Sequence, residues 1–373
     1  MKAVAHHLES LNVFRGITIA AMILVNNPGD WTAVFPPLMH EYWTGWTFAD
    51  LLFPWFIFIM GFAMPFAFAR RHEQGHRLPH LYRRIVRRVA LLIAIGLILN
   101  AVSAWPAVFP LRYPGVLQRI ALSYLIAALI VLHFEVTGWV VAVALLLLGH
   151  WALLTLVPFG GHPPGTLTPE HNLAGYVDAF VFGRHSLSRP IDPEGLVGVL
   201  PSAATAVVGA LAGRLVRQAH SETARLGNLV IAGAGTFVAG EVWSHLLPVS
   251  KPLWTGSYVL VVTGLAMIVF AVTYEVVDRW QVRAWARPFI WLGVNPLAIY
   301  VFSDIVGHLL QNVEIRRGNG HTTPMAWLFW GVLEPAFRPW MTEWPSLAFA
   351  VAYVAVWTAI AGVLYRRRVR IQV

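Results

Sequence analysis

The sequence has no cysteine and few charged residues. None of its 373 residues is Cys, which excludes disulfide bonds, thiolate metal sites and a cysteine nucleophile. Charged residues make up only 12% of the chain, about half their share in soluble domains, whereas hydrophobic residues make up 57%. These proportions exclude an ordinary soluble protein and predict an all-α polytopic membrane protein.

Apolar stretches long enough to cross a bilayer, at about 20 residues each, recur along the chain. We place ten spans, at 11–29, 47–69, 85–105, 116–134, 137–157, 194–216, 226–247, 253–277, 288–310 and 344–365. A shorter run at 325–337 favours an interfacial or re-entrant segment, with an eleventh span as the alternative. The sequence predicts one transmembrane domain over residues 1–373, with an outer loop of ordered coil at about 158–193.

The basic residues are unevenly distributed between the two predicted sides. With a cytoplasmic N-terminus, 19 of the 27 Lys and Arg residues fall in cytoplasmic segments, and the opposite orientation inverts this bias. The sequence therefore predicts cytoplasmic N- and C-termini. The first span lacks a small-residue cleavage pattern and is expected to stay as an anchor. Nucleic-acid binding explains the net charge of +9 poorly, because the basic residues lie in short runs between apolar segments.

The densest group of polar residues near a predicted membrane surface lies at the start of the chain. It comprises Asn26, Asn27, Asp30, His40, Glu41 and Asp50. All of them fall at or near the predicted outer surface, and polar groups in such positions mark candidate sites. An imidazole flanked by carboxylates can act as a general base near neutral pH. The alternative is an ordinary interfacial histidine, since the chain has 15 His residues.

Five ordered segments carry a family resemblance. They are LESLNVFRGITIAAMILVNNPGDW running into MHEYWTGWTFADLLFPWFIFIMG, YPGVLQRIALSY (113–124), DPEGLVGVLPSAATAVVGALAG (192–213), KPLWTGSYVLVVTG (251–264) and FIWLGVNPLAIYVFS (289–303). Together they resemble the transmembrane heparan-α-glucosaminide N-acetyltransferases, and the bacterial members called NagX look closer still. One departure is Asn12, where the family commonly has Asp; this puts any charge role at that position in doubt.

The resemblance implies transfer of an acetyl group from cytosolic acetyl-CoA to the amine of glucosamine, or of a glucosamine-ended saccharide, on the outer side. It implies His40 as the catalytic histidine and Asn26 as its partner. His40 would take the amine proton, and the Asn26 carboxamide would donate to the developing oxyanion. Asp50 would either orient the imidazole or hold the substrate ammonium. Direct transfer in a ternary complex is favoured over an acetyl-histidine intermediate.

The resemblance also implies a homodimer and, in a bacterium, a place in the inner membrane. The phosphates of acetyl-CoA require a basic, inward-facing mouth. The candidates are Arg15, Arg87, Arg88, Arg119 and Arg287. For all but Arg119, the excess of basic residues on the cytoplasmic side and contact with lipid phosphates explain their presence as well as CoA binding does. Arg119 lies one turn inside the fourth predicted span, and if that span runs inward it starts near the outer side.

Two further candidates lie in the ninth predicted span. Asn295 and Pro296 predict a helix break, because proline removes a backbone donor. The break either lines a tunnel for the acyl donor or is only a packing kink. Asp304 lies farther along the same span and is a substrate-binding candidate, since burying a carboxylate in a membrane needs a reason.

The remaining substrate-binding candidates are Asn27, Trp43, Trp46 and Glu241. The two tryptophans can stack on a sugar ring or belong to the membrane aromatic belt. Glu241 and His245, four residues apart, can hold substrate or form an interfacial pair. Two ligands make an incomplete metal site, so no metal is expected.

Two alternative functions stay open at this point. A permease that carries N-acetylglucosamine inward without chemistry explains the outer polar residues and the aromatic rings. It does not explain why a histidine, an asparagine and a basic inner mouth occur in one chain. The second alternative keeps acyl transfer but changes the acceptor to a hydroxyl group of a polysaccharide.

Overall fold

A computed structural model describes residues 8–73, 78–187, 191–317, 320–337 and 343–371. Apolar runs form helices here because a helix satisfies its own backbone hydrogen bonds within one segment. In chain order they are α1 (Glu9–Asn26), α2 (Phe48–Glu73), α3 (Leu78–Ser103), α4 (Val116–His133), α5 (Val136–Leu156), α6 (Leu173–Phe182), α7 (Val199–Gln218), α8 (Glu222–Ser244), α9 (Gly256–Tyr274), α10 (Arg287–Val294), α11 (Pro296–Asn312), α12 (Pro324–Leu328), α13 (Glu334–Phe337) and α14 (Glu343–Arg366). Strands β1 (Ile315–Arg317) and β2 (Gly320–Thr322) pair antiparallel.

The helices account for most of the predicted spans. Within the described ranges, eight helices are long and apolar enough to cross a membrane, or nine if α10 and α11 form one bent span. The described part of the chain is thus mostly helical, as a polytopic membrane protein requires, and the predicted count of ten spans stays a prediction. Helix α1, the first predicted span, lies outside this set because Glu9, Asn12 and Arg15 are among its 18 residues.

The structure settles the form of two segments that the sequence predicts to be irregular, the break at Asn295 and the run at 325–337. The predicted break at Asn295 is confirmed: α10 ends at Val294, α11 begins at Pro296, and the two helices are bent by 87°. Proline cannot donate the hydrogen bond that would continue α10, whereas it fits the first turn of a new helix. The run at 325–337 folds into α12, a π-helical turn and α13, which are too short to span a membrane.

The prediction of coil throughout 158–193 is wrong, because this segment contains α6. The Asn172 side chain accepts a hydrogen bond from the Gly175 N–H at 2.7 Å and so caps the start of this helix. Asparagine is among the preferred residues at this position. The apolar sequence that follows it, LAGYVDAFVF, was therefore a readable helix signal.

The helix ends define two opposite faces of the bundle. We call one the His40 face; it comprises the segments 27–47, 104–115, 157–187, 191–198 and 245–255. Backbone hydrogen bonds join these segments, including Gly45 N–H to the Val249 carbonyl at 2.8 Å and Tyr113 N–H to the His185 carbonyl at 2.9 Å. The other, the Arg15 face, comprises the start of α1 and the segments 134–135, 219–221, 280–286 and 367–371.

Helices α2 and α7 cross at very close range. A Cβ atom on Gly61 of α2 would overlap the Ala206 carbonyl of α7, and a Cβ atom on Gly209 of α7 would overlap the Phe58 carbonyl of α2. Small residues let helix backbones approach in this way, which is a main source of helix association in membranes. The crossing holds α2, the helix that carries Asp50, within the core.

Replacing Gly61 with alanine is expected to lower the free energy of unfolding by about 1–3 kcal/mol, because the added methyl group forces the two backbones apart. Thermal unfolding of the purified protein in detergent would show a lower Tm. Gly149→Ala in α5 is the matched control, since a Cβ atom there meets open space. Equal losses of stability in both variants would contradict this account of the crossing.

Candidate active site

The first feature of the His40 face is a contact between an imidazole and a buried carboxylate. His40 Nδ1 lies 2.8 Å from Asp50 Oδ1. The Asp50 side chain is fully buried, whereas 45% of the His40 side chain is exposed. A buried carboxylate at one imidazole nitrogen fixes the ring, so that the other nitrogen can exchange a proton with a substrate.

Asp50 is held in place by the start of α2. Its Oδ2 accepts hydrogen bonds from Thr47 N–H at 3.0 Å, from Thr47 Oγ1 at 3.1 Å and from Glu41 N–H at 3.0 Å. Thr47 precedes the helix and Asp50 is its third residue, a spacing in which an acidic side chain reaches back to the helix start. Because Oδ2 is occupied by three donors, Oδ1 is the oxygen that faces His40.

Lys251 completes this group from a distant part of the chain. Its Nζ lies 3.1 Å from Asp50 Oδ1, 2.9 Å from His40 Nδ1 and 3.4 Å from His40 Nε2. Only 14% of its side chain is exposed. Burial lowers the pKa of Lys251 below its usual value, and the charge of Asp50 opposes this shift. Asp50, His40 and Lys251 therefore form one hydrogen-bonded centre.

Lys251 is a site residue that the sequence patterns did not single out. It begins the segment KPLWTGSYVLVVTG and stands directly before α9. An isolated lysine next to a membrane span, on the side where basic residues are scarce, was the available signal. Its partners His40 and Asp50 lie 211 and 201 residues away in sequence, so spacing alone does not reveal them.

A single proton position distinguishes two states of this centre. A neutral imidazole carries one N–H and one lone pair. If Nδ1 donates to Asp50, Nε2 is free to act as a base. If Nδ1 instead accepts from Lys251, Nε2 carries the proton. Nδ1 lies within hydrogen-bond distance of both partners, so the geometry accommodates either state.

A second polar cluster lies beside this centre, on the same face. Arg112 forms two hydrogen bonds with the Asp192 carboxylate, from Nη2 to Oδ1 at 2.5 Å and from Nε to Oδ2 at 2.9 Å. Its Nη2 also donates to Glu194. The Asp178 carboxylate accepts from Leu196 N–H at 2.8 Å, and burial raises the pKa of Asp178 to about 6. These contacts fix the segment that leads into α7.

Arg119 belongs to this cluster and not to the Arg15 face. Only 1% of it is exposed. Its Nη2 donates to the Gly195 carbonyl at 2.7 Å, and its guanidinium lies 5.0 Å from the centre of the Trp254 ring. The start of α4 lies at the His40 face, so Arg119 is remote from the Arg15 face, and its contact with nucleotide phosphates stays a prediction.

The asparagines at the end of α1 have different surroundings. Asn26 is half-buried, and within the described residues no hydrogen bond joins it to His40 or Asp50. Asn27 is buried, and its carboxamide donates to the Ile23 carbonyl at 2.8 Å. The predicted contact between Asn27 and substrate is not supported, because its side chain is taken up by its own helix.

The aromatic candidates also differ from each other. Trp43 Nε1 donates to the Leu167 carbonyl at 2.9 Å, and its ring packs against a small core that includes Phe159 and Leu173. This placement ties Trp43 to the folding of the outer loop, whereas the sequence had left sugar stacking and the membrane aromatic belt as alternatives. Trp46 is 37% exposed and remains accessible on the His40 face.

The acidic candidates lie apart from the centre. Glu241 is half-buried near the end of α8, and in the part of the chain that is described it forms no ion pair with His245. Asp304 lies in α11, 3.8 Å from His308 one turn later. No hydrogen bond among the described residues joins either carboxylate to His40.

The Arg15 face carries the other basic candidates. Arg15 Nη1 donates to the Gly293 carbonyl at 3.4 Å, and Arg88 lies near enough for the two charges to repel each other. The Arg88 guanidinium lies 4.5 Å from the centre of the Tyr124 ring. Arg87 and Arg287 are exposed. Two adjacent guanidinium groups on this face suit an anionic ligand.

Asn295 holds the C-terminal segment in place. Its Nδ2 donates to the Val369 carbonyl at 2.9 Å, and its Oδ1 accepts from Ile371 N–H at 2.8 Å. Only 1% of the residue is exposed. The predicted contact between Asn295 and the acyl donor is not supported, since both ends of its carboxamide are bonded to backbone.

Comparison with known proteins adds an independent observation. The family described as the catalytic region of heparan-alpha-glucosaminide N-acetyltransferase matches residues 8–240. The human protein named heparan-alpha-glucosaminide N-acetyltransferase is 27% identical, and the alignment covers 99% of this chain and 60% of that protein. The mouse protein of the same name is 26% identical, with 98% and 60% covered. This chain thus spans about 60% of the length of these relatives.

Proposed function

This chain belongs to the heparan-alpha-glucosaminide N-acetyltransferase family, and we propose that it transfers an acetyl group from acetyl-CoA to the amine of glucosamine or of a glucosamine-ended saccharide. The observation that carries the proposal is the contact of His40 with the buried Asp50. The family match favours acetyl transfer over a permease, which breaks and forms no covalent bond. The segment that holds both residues lies within the region that the family matches.

In the proposed reaction His40 acts as the general base. Asp50 accepts from Nδ1–H, which leaves the lone pair of Nε2 for the amine proton. The acceptor reacts as the free amine, because an ammonium group cannot attack a thioester, and its nitrogen loses one further proton to His40 as it bonds to the acetyl carbon. The nitrogen attacks the acetyl carbonyl directly, without an acetyl-histidine intermediate. That the Asn26 carboxamide donates to the oxyanion stays a prediction.

The donor is proposed to approach from the Arg15 face. Arg15 and Arg88 lie close together there, and Arg87 and Arg287 are exposed. These guanidinium groups would bind the phosphates of acetyl-CoA, with the thioester reaching toward His40. On this proposal the Arg15 face is cytoplasmic, and the His40 face receives the sugar. A homodimer and a place in a bacterial inner membrane also stay predictions.

The purified protein in liposomes is expected to convert acetyl-CoA and glucosamine into free CoA and N-acetylglucosamine in equal amounts. The amine is the expected nucleophile, so glucose should serve as a negative control. Labelled acetyl-CoA and mass spectrometry of the sugar would measure the products.

Three results would count against this proposal. Sugar uptake without release of CoA would support a permease. Release of CoA only with hydroxyl acceptors would support an O-acetyltransferase. A stoichiometric acetyl-protein adduct that forms without acceptor and passes its label to sugar would replace direct transfer with a covalent intermediate.

A further inference from the structure

Lys251 lies within hydrogen-bond distance of the nitrogen that the proposed reaction uses. Its Nζ is 3.4 Å from His40 Nε2 and 3.1 Å from Asp50 Oδ1. The contact with His40 is on the exposed side of the centre, although most of the lysine stem is buried. An ammonium group and a base thus face the same space.

Transfer from a thioester requires two proton movements. The attacking amine loses one proton, and the departing thiolate gains one. A thiol has a pKa near 8.5, so a thiolate at neutral pH is a better leaving group when an acid protonates it. His40 takes the first proton at Nε2, and a second, separately placed donor would protonate the sulfur without that proton having to pass from the amine side to the sulfur.

We propose that Lys251 is the general acid that protonates the departing thiolate, an inference that rests on the proposed acetyltransferase function. Lys251 and His40 are the two proton-exchanging side chains that Asp50 holds together, and the lysine reaches the centre from a separate segment, between α8 and α9. The ligand that Lys251 would contact is an acyl thioester, and the atom that it would protonate is the thioester sulfur.

The amine nitrogen forms a bond to the acetyl carbon, and its proton moves to His40 Nε2. The carbon–sulfur bond breaks, its electron pair stays on sulfur, and a proton from Lys251 Nζ converts the thiolate to a thiol. The products are an amide, free CoA, an imidazolium and a neutral lysine. The proton on Nε2 then moves to Nζ over 3.4 Å, which restores both groups.

The surroundings of Lys251 suit an acid that must give up its proton. Burial and the positive charge of Arg119 lower the pKa of Lys251, while the negative charges of Asp50 and Glu194 raise it, and the net shift is downward. Asp50 also anchors the ammonium at 3.1 Å, so the group is positioned before a donor binds. An arginine would keep the charge but hold its proton, since its pKa exceeds 12.

The test compares Lys251→Arg and Lys251→Met with wild type, using two donors. Acetyl-CoA has a leaving thiolate that needs a proton, whereas the acetyl thioester of 4-nitrothiophenol releases a stable thiolate. With acetyl-CoA, both variants are expected to lose about 10²-fold in kcat, within the range for general acid catalysis. With the aryl thioester the loss should be less than about 3-fold, since no acid is needed.

The outcomes separate this inference from the function on which it rests. Equal losses with both donors would show that Lys251 only positions His40 and would overturn the proposal. Full activity of Lys251→Arg with acetyl-CoA would overturn it as well. If wild type transfers acetyl from neither donor, the proposed acetyltransferase function itself fails. Circular dichroism and size-exclusion profiles would confirm that the variants are folded.

Discussion

Replacing His40 with alanine is expected to lower kcat for acetyl transfer by about 10³- to 10⁴-fold, the upper part of the range for general base catalysis. In the centre formed by His40, Asp50 and Lys251, the imidazole is the group that can take a proton from the substrate amine near neutral pH. The loss should appear in kcat more than in KM, because the ring accepts the proton in the transition state and not in the bound ground state. Release of CoA with glucosamine as acceptor measures it.

His171→Ala is the matched control for this variant. His171 is exposed on the same His40 face and contacts His162 by ring stacking. Its replacement removes an imidazole without touching Asp50, so activity should stay near that of wild type. If His40→Ala kept wild-type kcat, the base would have to be another group. Residual activity of His40→Ala should rise with pH, as more of the amine becomes free base.

Replacing Asp50 with asparagine is expected to lower kcat by about 10³- to 10⁴-fold, although the side chain keeps its shape. Three donors converge on Oδ2, from Thr47 and from Glu41 N–H. The amide must place its oxygen there, because an NH₂ group would meet those donors without an acceptor. Its NH₂ then faces His40 Nδ1.

This orientation forces the wrong form of the imidazole. Nδ1 must accept the hydrogen bond, so Nε2 carries the proton and cannot take one from the amine. The ion pair with Lys251 is lost as well. Steady-state kinetics of Asp50→Asn, with Glu170→Gln on the exposed outer loop as control, measure the effect. A loss below 10-fold would falsify the view that Asp50 sets the state of His40.

Several features of the fold were predictable because their causes are local. Long apolar runs form helices because a helix pairs its own backbone hydrogen-bonding groups, and the missing N–H of Pro296 predicts the break between α10 and α11. The link between Thr47 and Asp50 follows from their spacing at a helix start. The helix α6 was missed although the cap at Asn172 was present in the sequence.

The surroundings of other candidate residues could not be predicted, because burial and partnership depend on packing between distant segments. Arg119 was assigned to phosphates, yet the fold encloses it between Gly195 and Trp254. Asn295 was assigned to the donor, yet a segment more than 70 residues later occupies its carboxamide. A polar residue within an apolar run signals that a partner exists, and its sequence position does not say which one.

The sequence alone determined that this chain is helical, membrane-embedded and related to an acetyltransferase family, because composition, apolar length and ordered motifs are written along the chain. It also indicated His40 and Asp50, which lie 10 residues apart and meet across one loop. Only the tertiary structure decided that Lys251 joins them and that Arg119 does not reach the Arg15 face. The physical reason is distance. Charged and polar groups interact strongly only when their atoms lie within a few ångströms of each other, and sequence separation does not give that distance.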